Sequence, residues 1–177
     1  MKTNIALICL LPNYGKNVSK LLGEKLDMFY VDVDEMVEFD LGDVDHILQT
    51  LGSKDGRKYI RESETRVVKN VSSFENTIIT INPMMMFSNR NLARVTKSSY
   101  VVYLQISPKF LAQRAQQSGD EINEKLLTMA FTERDKIYVQ NSDIVMNCST
   151  YKDIKAVKKL LSAILKFFRK IEKERAK

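Results

Sequence analysis

Five short runs of apolar and β-branched residues recur along the chain, at residues 4–10, 28–33, 77–81, 100–106 and 143–148. Each run is almost continuous in its hydrophobicity, which is typical of strands that are buried on both faces of a sheet. The pattern therefore predicts five buried strands.

Stretches with hydrophobic residues at helical spacing separate these runs, at residues 17–26, 35–51 with a break near Gly42, 56–72, 89–96, 108–117 and 123–140. Alternating strands and helices are typical of βαβ units, in which the strands of one sheet run parallel. We therefore predict an α/β fold. No repeat, low-complexity tract or change of composition divides the chain, so residues 1–177 are predicted to form one domain.

The composition is that of an ordinary globular protein, with 177 residues, 44% hydrophobic and 28% charged. It excludes the disordered and fibrous classes. Cys9 and Cys148 are too few for a disulfide scaffold and have apolar neighbours, so we expect buried thiols in a reducing compartment. No apolar run approaches the roughly 18 residues of a membrane span. We expect a cytoplasmic protein without a membrane partner.

The formal net charge of +6 comes from one end of the chain. Residues 152–177 contain ten Lys and Arg against three Asp and Glu, a net of +7, so the remainder carries −1. Apolar residues recur there at helical spacing, which predicts a basic helix over residues 152–175. Such a helix either docks on the core or binds nucleic acid or a membrane surface. We favour the docked helix and expect no nucleic-acid partner, because the apolar stripe needs a core to cover.

The first predicted strand runs through Leu10 into a loop that ends in Gly15 and Lys16, just before a helix. A phosphate-binding loop has this context, because the helix N-terminus favours a phosphate and the lysine reaches its outer oxygens. That pattern requires Gly in place of Leu10 and Ser or Thr in place of Asn17, however, and Pro12 removes one backbone N–H. On these residues alone, an ordinary strand-to-helix turn is favoured.

Two carboxylates, Asp32 and Asp34, follow the second predicted strand. Alternation places both on one face at the carboxyl end of the strand, where open parallel sheets bind ligands. One interpretation is a site for hydrated Mg²⁺ and a hydroxyl-bearing substrate. The other is a helix N-terminus with Asp34 as the N-cap and Glu35 in the first turn. These residues alone leave both interpretations open.

Arg61 and Glu64 lie three residues apart on a predicted helix and so share a face. They form either an exposed pair or a clamp for a substrate carboxylate, which arginine binds through two parallel hydrogen bonds. The third strand is followed by Asn82, Pro83 and a methionine run, which is more often core or adaptable surface than a site. His46, the single histidine, has no Cys or His at ligand spacing, so no transition-metal site is predicted.

Taken in order, these pieces resemble the shikimate kinase family. Its members have a P-loop, an Asp-x-Asp after the second strand, an aromatic-Arg-x-x-Glu helix and an Arg-x-Pro-Leu-Tyr helix before the last strand. The matching segments are residues 32–34, 60–64 and 134–138, with Ile60 in place of the aromatic residue and Lys136 in place of proline. The resemblance runs from about residue 4 to about residue 165. It implies a three-layer P-loop kinase fold with a five-stranded parallel sheet, and ATP-dependent phosphorylation of shikimate in aromatic amino acid biosynthesis.

The resemblance also implies which residues face the nucleotide. Gly15, Lys16 and Asn17 would bind the ATP phosphates, with Lys16 also taking part in catalysis. Arg114 would lie against the adenine. Asp32 and Asn17 would hold Mg²⁺, Asp32 through water.

On the substrate side, the resemblance implies that Asp34 binds hydroxyl groups of shikimate or a similar hydroxy acid and assists their deprotonation as a catalytic residue. Arg61 and Arg134 would grip the substrate carboxylate. ATP and Mg²⁺ are the implied cofactors, and we expect a monomer.

The chain departs from the family pattern in three places. The P-loop lacks its first Gly and its Ser or Thr, the family's Gly-Gly-Gly after the third strand is Asn82-Pro83-Met84, and the predicted lid at residues 116–125 is short and has no arginine. Phosphoryl transfer depends on positioning and on cations around the migrating charge. We therefore expect impaired or lost catalysis. The alternatives are a non-catalytic ligand- or partner-binding relative and an anion-surface binder that uses the basic C-terminal helix.

Overall fold

The computed structural model describes residues 2–117, 124–149 and 153–175. Its strands occur where the hydrophobic runs predict them: β1 (Asn4–Cys9), β2 (Phe29–Asp32), β3 (Thr77–Ile81), β4 (Ser99–Gln105) and β5 (Ile144–Asn147). They pair in the order β2-β3-β1-β4-β5, and every pairing is parallel. The predicted α/β fold with a five-stranded parallel sheet is therefore confirmed.

The connecting helices are α1 (Pro12–Leu26), α2 (Val33–Leu41), α3 (Val44–Val71), a 3₁₀-helix (Pro83–Phe87), α4 (Asn89–Ser98), α5 (Pro108–Gln117) and α6 (Glu124–Gln140), and α7 (Asp153–Arg175) follows β5. Most lie where helical spacing predicts helices. However, α1 begins well before residue 17, α3 continues through the predicted gap between residues 51 and 56, and the 3₁₀-helix was not predicted. Most of the predicted lid at residues 116–125 lies outside the described residues.

Alternation along β1 sends neighbouring side chains to opposite faces of the sheet, and each face has its own core. Leu7 packs with α1 and α7 in one cluster, whereas Ile8 packs with α3, α4 and α6 in the other. Both side chains are completely buried, so the protein has three layers. Because β1 lies between β3 and β4, the connections diverge at its carboxyl end and leave the crevice where ligands bind in such sheets.

The basic helix α7 covers the first of these clusters. Val157, Leu160 and Ile164 form its apolar stripe and are buried there, whereas Lys158 and Arg169 are exposed. The apolar stripe is thus used to cover the core. No helix within residues 2–117, 124–149 and 153–175 is both long enough and apolar enough to cross a membrane.

Helices α2 and α3 pack against each other and are joined through Gly42, whose φ of +71° favours glycine. The break predicted near this residue is confirmed, and a second glycine, Gly52, kinks α3 with a φ of +75°. Asp40 on α2 links the two helices, because it accepts a hydrogen bond from Ser63 and pairs with Arg66 Nη2 at 2.7 Å. These contacts hold α3 next to the crevice.

Candidate functional site

Polar side chains converge at the carboxyl end of the sheet. Lys16 lies one turn into α1, which follows β1. Asp32 ends β2, Asp34 lies in the first turn of α2, and Asn82 follows β3. The Lys16 ammonium lies 3.0 Å from Asp32 Oδ2, and Asn82 Nδ2 donates to Asp34 Oδ2 at 3.4 Å. The structure thus brings together three residues that the sequence identifies separately, and adds Asn82 to them.

The segment that corresponds to a phosphate-binding loop is helical. α1 begins at Pro12, and the Gly15 N–H donates to the Leu11 carbonyl at 2.9 Å, which closes the first turn. Proline favours this early start, because its φ already suits a helix and its missing N–H is not needed at the first position. The predicted helix start at residue 17 is therefore wrong. Since Pro12 has no N–H and the Gly15 N–H is used within the helix, this turn offers few donors to a phosphate.

Gly15 has a packing role in this turn. A Cβ on Gly15 would lie 2.8 Å from the Cβ of Cys9, so α1 approaches β1 too closely for a larger residue. The neighbouring Tyr14 is buried in the same core cluster as Cys148. Burial raises the pKa of the Cys148 thiol to about 11, so this thiol is protonated at neutral pH. Both contacts anchor the turn to the core.

Lys16 is held between two carboxylates. Its Nζ lies 3.0 Å from Asp32 Oδ2 and 3.5 Å from Glu35 Oε1. Partial burial acts to lower the pKa of Lys16, but the hydrogen bond to Asp32 and the charges of both carboxylates raise it above its ordinary value. Lys16 is therefore a cation whose partners lie within the protein.

Asp32 is buried, and both of its carboxylate oxygens face donors. Oδ1 accepts the backbone N–H groups of Asp34 at 2.9 Å and Glu35 at 3.4 Å, while Oδ2 contacts Lys16 and accepts the Tyr30 hydroxyl at 3.4 Å. The N-cap of α2 is therefore Asp32. This corrects the interpretation of Asp34 as the cap, because β2 ends and α2 begins earlier than predicted.

The arrangement does not fit a Mg²⁺ site built on Asp32 and Asn17. Mg²⁺ needs available oxygen ligands, and both Asp32 oxygens are engaged next to the Lys16 ammonium. Asn17 is exposed on α1 and carries an amide where the family pattern has a hydroxyl. Within the part of the chain that the structure describes, no group of three or more His, Cys, Asp or Glu could hold a metal ion.

Asp34 and Glu64 are half-buried carboxylates that affect each other. Burial, followed by the charge of Asp32, raises the pKa of Asp34, although the Asn82 hydrogen bond opposes this. Burial, followed by the charge of Asp34, raises the pKa of Glu64. A hydrogen bond donated by a nearby group, such as a ligand hydroxyl, would therefore stabilise the charged form of either carboxylate.

We expect Glu64→Gln to stabilise the free protein at pH 7. Folding raises the pKa of Glu64, so between the unfolded and folded pKa values the folded state binds more protons, and stability falls as the pH rises through that interval. At pH 7 the substitution removes the loss of folding stability that the ionised Glu64 causes. At about pH 3.5, below the ordinary glutamate pKa, Glu64 is protonated in both states and the substitution has no such effect. Thermal unfolding should show a Tm higher by about 1–3 °C at pH 7 only. The exposed Glu62→Gln is the control, and an unchanged Tm for Glu64→Gln at pH 7 would contradict the prediction.

A cavity of about 590 Å³ lies beside α3, the 3₁₀-helix and α4. Such a volume suits a small organic ligand. Arg61 and Glu64 both line it, as their shared helix face predicts. Charged, apolar, hydroxyl and amide side chains complete the wall: Arg57, Ile60, Thr65, Met84, Met85, Phe87, Ser88 and Asn91.

Arg134 approaches this cavity from α6. Its guanidinium lies over the ring of Phe87, 5.9 Å from the centroid, and Phe87 lines the cavity. The Tyr103 hydroxyl and the Gln105 amide each donate to Asp135 at 2.9 Å, which fixes α6 against β4. Arg134 thus contacts Phe87, a residue of the cavity wall to which Arg61 also belongs.

One predicted residue has no described side chain, and three residues of the cavity wall were not predicted. Arg114 lies on α5, but its side chain is outside the described residues. Sequence analysis missed Arg57, Phe87 and Asn91 in the cavity wall. Arg57 could have been found, because it precedes Arg61 by four residues and therefore shares its helix face.

Known proteins share this sequence pattern. The family model for shikimate kinase matches residues 13–165. The shikimate kinase of Persephonella marina is 23% identical over 165 residues, which cover 91% of this chain and 98% of that one.

Solved structures share the fold. The shikimate kinase from Acinetobacter baumannii in complex with shikimate has a TM-score of 0.78 at 21% identity, over 94% of each chain. The shikimate kinase from Aquifex aeolicus has a TM-score of 0.75 at 25% identity, over 91% of this chain and 95% of that chain. Because the family model covers most of the chain and the fold agrees with it, this chain belongs to the shikimate kinase family.

Proposed function

We propose that this chain keeps the substrate-binding side of a shikimate kinase and that its ATP-dependent phosphoryl transfer is lost or strongly impaired. The observation that carries the proposal is the closed first turn of α1, in which the Gly15 N–H donates to the Leu11 carbonyl. A phosphate cradle needs such N–H groups directed at the nucleotide.

Opening the turn for a nucleotide has an energetic cost. The hydrogen bond of Gly15 would break, and Tyr14 would leave the core. Exposing one large buried side chain costs about 1.5–3 kcal/mol, and losing one intramolecular hydrogen bond costs about 1 kcal/mol. Lys16 would also have to exchange Asp32 and Glu35 for a phosphate. Each of these steps weakens ATP binding.

The substrate side supports retained binding of a hydroxy acid. Arg61 lines the cavity, and Arg134 adjoins it through Phe87. Two guanidinium groups suit a carboxylate, which arginine binds in a bidentate manner. Asp34 and Glu64 are the nearby acceptors for ligand hydroxyl groups. Shikimate combines these chemical features.

ATP supplies the phosphoryl group and Mg²⁺ neutralises its charge in such a reaction, but the residues of this chain do not fit the metal. Asp34 would accept a hydrogen bond from a substrate hydroxyl. Burial raises the pKa of Asp34 and so favours proton uptake by this carboxylate, although the hydrogen bond that Asn82 donates to Asp34 Oδ2 opposes this.

An active kinase is the second candidate function. The convergence of Lys16, Asp32 and Asp34 at the carboxyl end of the sheet favours it. In that case ATP binding would open the first turn of α1 and release Lys16 from Asp32. Anion-surface binding through α7 has less support, because the apolar stripe of that helix is buried in the core.

Calorimetric titration with shikimate and with Mg-ATP separately tests the proposal. We expect saturable binding of shikimate, in the range of roughly 1 µM to 1 mM that is usual for enzyme substrates, and no heat from Mg-ATP. Binding of Mg-ATP followed by ADP release on addition of shikimate would favour the active kinase. Absence of shikimate binding would contradict a retained substrate side.

A further inference from the structure

Four cations follow one another along the face of α3 that borders the cavity. Arg57 and Lys58 each lie three or four residues from both Lys54 and Arg61, so the four form one stripe, called the basic face below. Within the described residues, none of the four has a carboxylate within 4.0 Å. Like charges at this spacing repel each other. Because none of the four cations is paired with a carboxylate of the described residues, this repulsion is not compensated by an ion pair there.

Two cavities open onto the basic face and share Arg57, Arg61 and Thr65. The first is the cavity of about 590 Å³ described above, and the second, of about 390 Å³, adds Lys54 and Lys58 to the lining. Together they are lined by four cations and two carboxylates, a net charge of +2. A ligand with a single carboxylate neutralises only half of this charge.

A buried amide in the cavity wall also lacks a partner. Asn91 is 1% exposed, and its Nδ2 donates to the Met85 carbonyl at 3.3 Å. Its Oδ1 accepts no hydrogen bond from the residues that the structure describes. An unsatisfied buried acceptor is costly, and a ligand or a water seated in the cavity can supply the missing donor.

We propose that the two cavities together take a small hydroxy acid with two anionic groups, the second of which binds Arg57, Lys54 and Lys58. The proposal rests on the proposed function only in that Arg61 holds the first carboxylate. Four helical residues separate Arg57 from Arg61, a rise of about 6 Å, so the two anionic groups lie about one helical turn apart. The second group is a carboxylate or a phosphate, because arginine and lysine bind both.

Matched small acids test this assignment without any nucleotide. Glycerate carries one carboxylate, 3-phosphoglycerate adds a phosphate to the same skeleton, and malate is a hydroxy acid with a second carboxylate. We expect 3-phosphoglycerate or malate to bind at least about tenfold more tightly than glycerate, since hydrogen bonds to charged groups are the stronger class. This gain should shrink as salt is added. The better of the two acids identifies the second group.

Arg57→Gln should remove the gain of the dianionic acids over glycerate. Lys69→Gln, which changes an exposed cation on the same helix away from both cavities, should preserve this gain. Equal binding of all three acids, or a gain that survives in Arg57→Gln, would overturn the proposal. So would absence of binding by both dianionic acids at millimolar concentration. Failure of the proposed function is distinguishable, because it appears as ATP turnover or as absence of shikimate binding, and these titrations use neither ATP nor shikimate.

Discussion

Purified protein supplied with millimolar shikimate and Mg-ATP should release ADP at least about 10⁴-fold more slowly than an active shikimate kinase assayed in parallel. This value is the product of the rate losses expected from two defects. The phosphate loop lacks its hydroxyl and the N–H donors of Pro12 and Gly15, and the predicted lid has no arginine. Removing one preorganised group that stabilises the transition state typically costs a factor of about 10²–10³.

Lys16→Ala is the control for this assay. If the chain has no kinase rate, the substitution leaves the small background of ADP unchanged, because Lys16 is occupied by Asp32 and Glu35. ADP release that depends on shikimate and falls in Lys16→Ala would show that Lys16 still serves phosphoryl transfer. The proposed loss of catalysis would then be wrong.

Arg61→Gln should weaken shikimate binding by at least about 100-fold. Arg61 lines the cavity from α3, and hydrogen bonds to a charged group contribute about 1.5–3 kcal/mol each. A loss in this range corresponds to a factor of roughly 10 to 100 per hydrogen bond, and a bidentate arginine loses two. Glutamine keeps a good helix former at the position, so the fold should be preserved.

Calorimetry on Arg61→Gln, Arg134→Gln and Lys69→Gln measures this effect. We expect both cavity arginines to matter, with Arg134 losing less because it reaches the cavity through Phe87. Lys69→Gln should bind as the wild type does, because Lys69 is exposed and lies outside the cavity. If Arg61→Gln bound shikimate with wild-type affinity, the assignment of Arg61 to the binding site would be wrong.

The fold could be predicted because its signals are local. Strands buried on both faces leave continuous apolar runs, and the helices between them leave amphipathic periods. Leu7 and Ile8 show why the runs are continuous, since adjacent residues enter different core layers and both are fully buried.

The first turn of α1 could not be predicted, because long-range packing decides it. Pro12 and Gly15 both favour a loop as readily as a helix in a local pattern. Tyr14 is buried next to Cys148 of the last strand region, and Gly15 packs on Cys9. These contacts join distant parts of the chain, so only the folded structure makes the turn helical.

The site was predictable residue by residue but not as an arrangement. The sequence identifies Asp32 and Asp34 as a pair, yet it cannot say that Asp32 caps α2 while Lys16 neutralises it. Asn82 was recognised only as a replacement for glycine, and its hydrogen bond to Asp34 depends on the alignment of β2 with β3. The residue at which β2 ends therefore decides which carboxylate caps α2 and which one faces the crevice.

Titration of the purified protein with ATP, with and without Mg²⁺, tests most directly whether the nucleotide side has been lost. The closed turn between Leu11 and Gly15 and the engaged Lys16 predict no saturable ATP binding at millimolar concentration in either condition, while shikimate still binds. Saturable ATP binding that Mg²⁺ strengthens would contradict this, because it would require an open phosphate cradle and an available metal ligand.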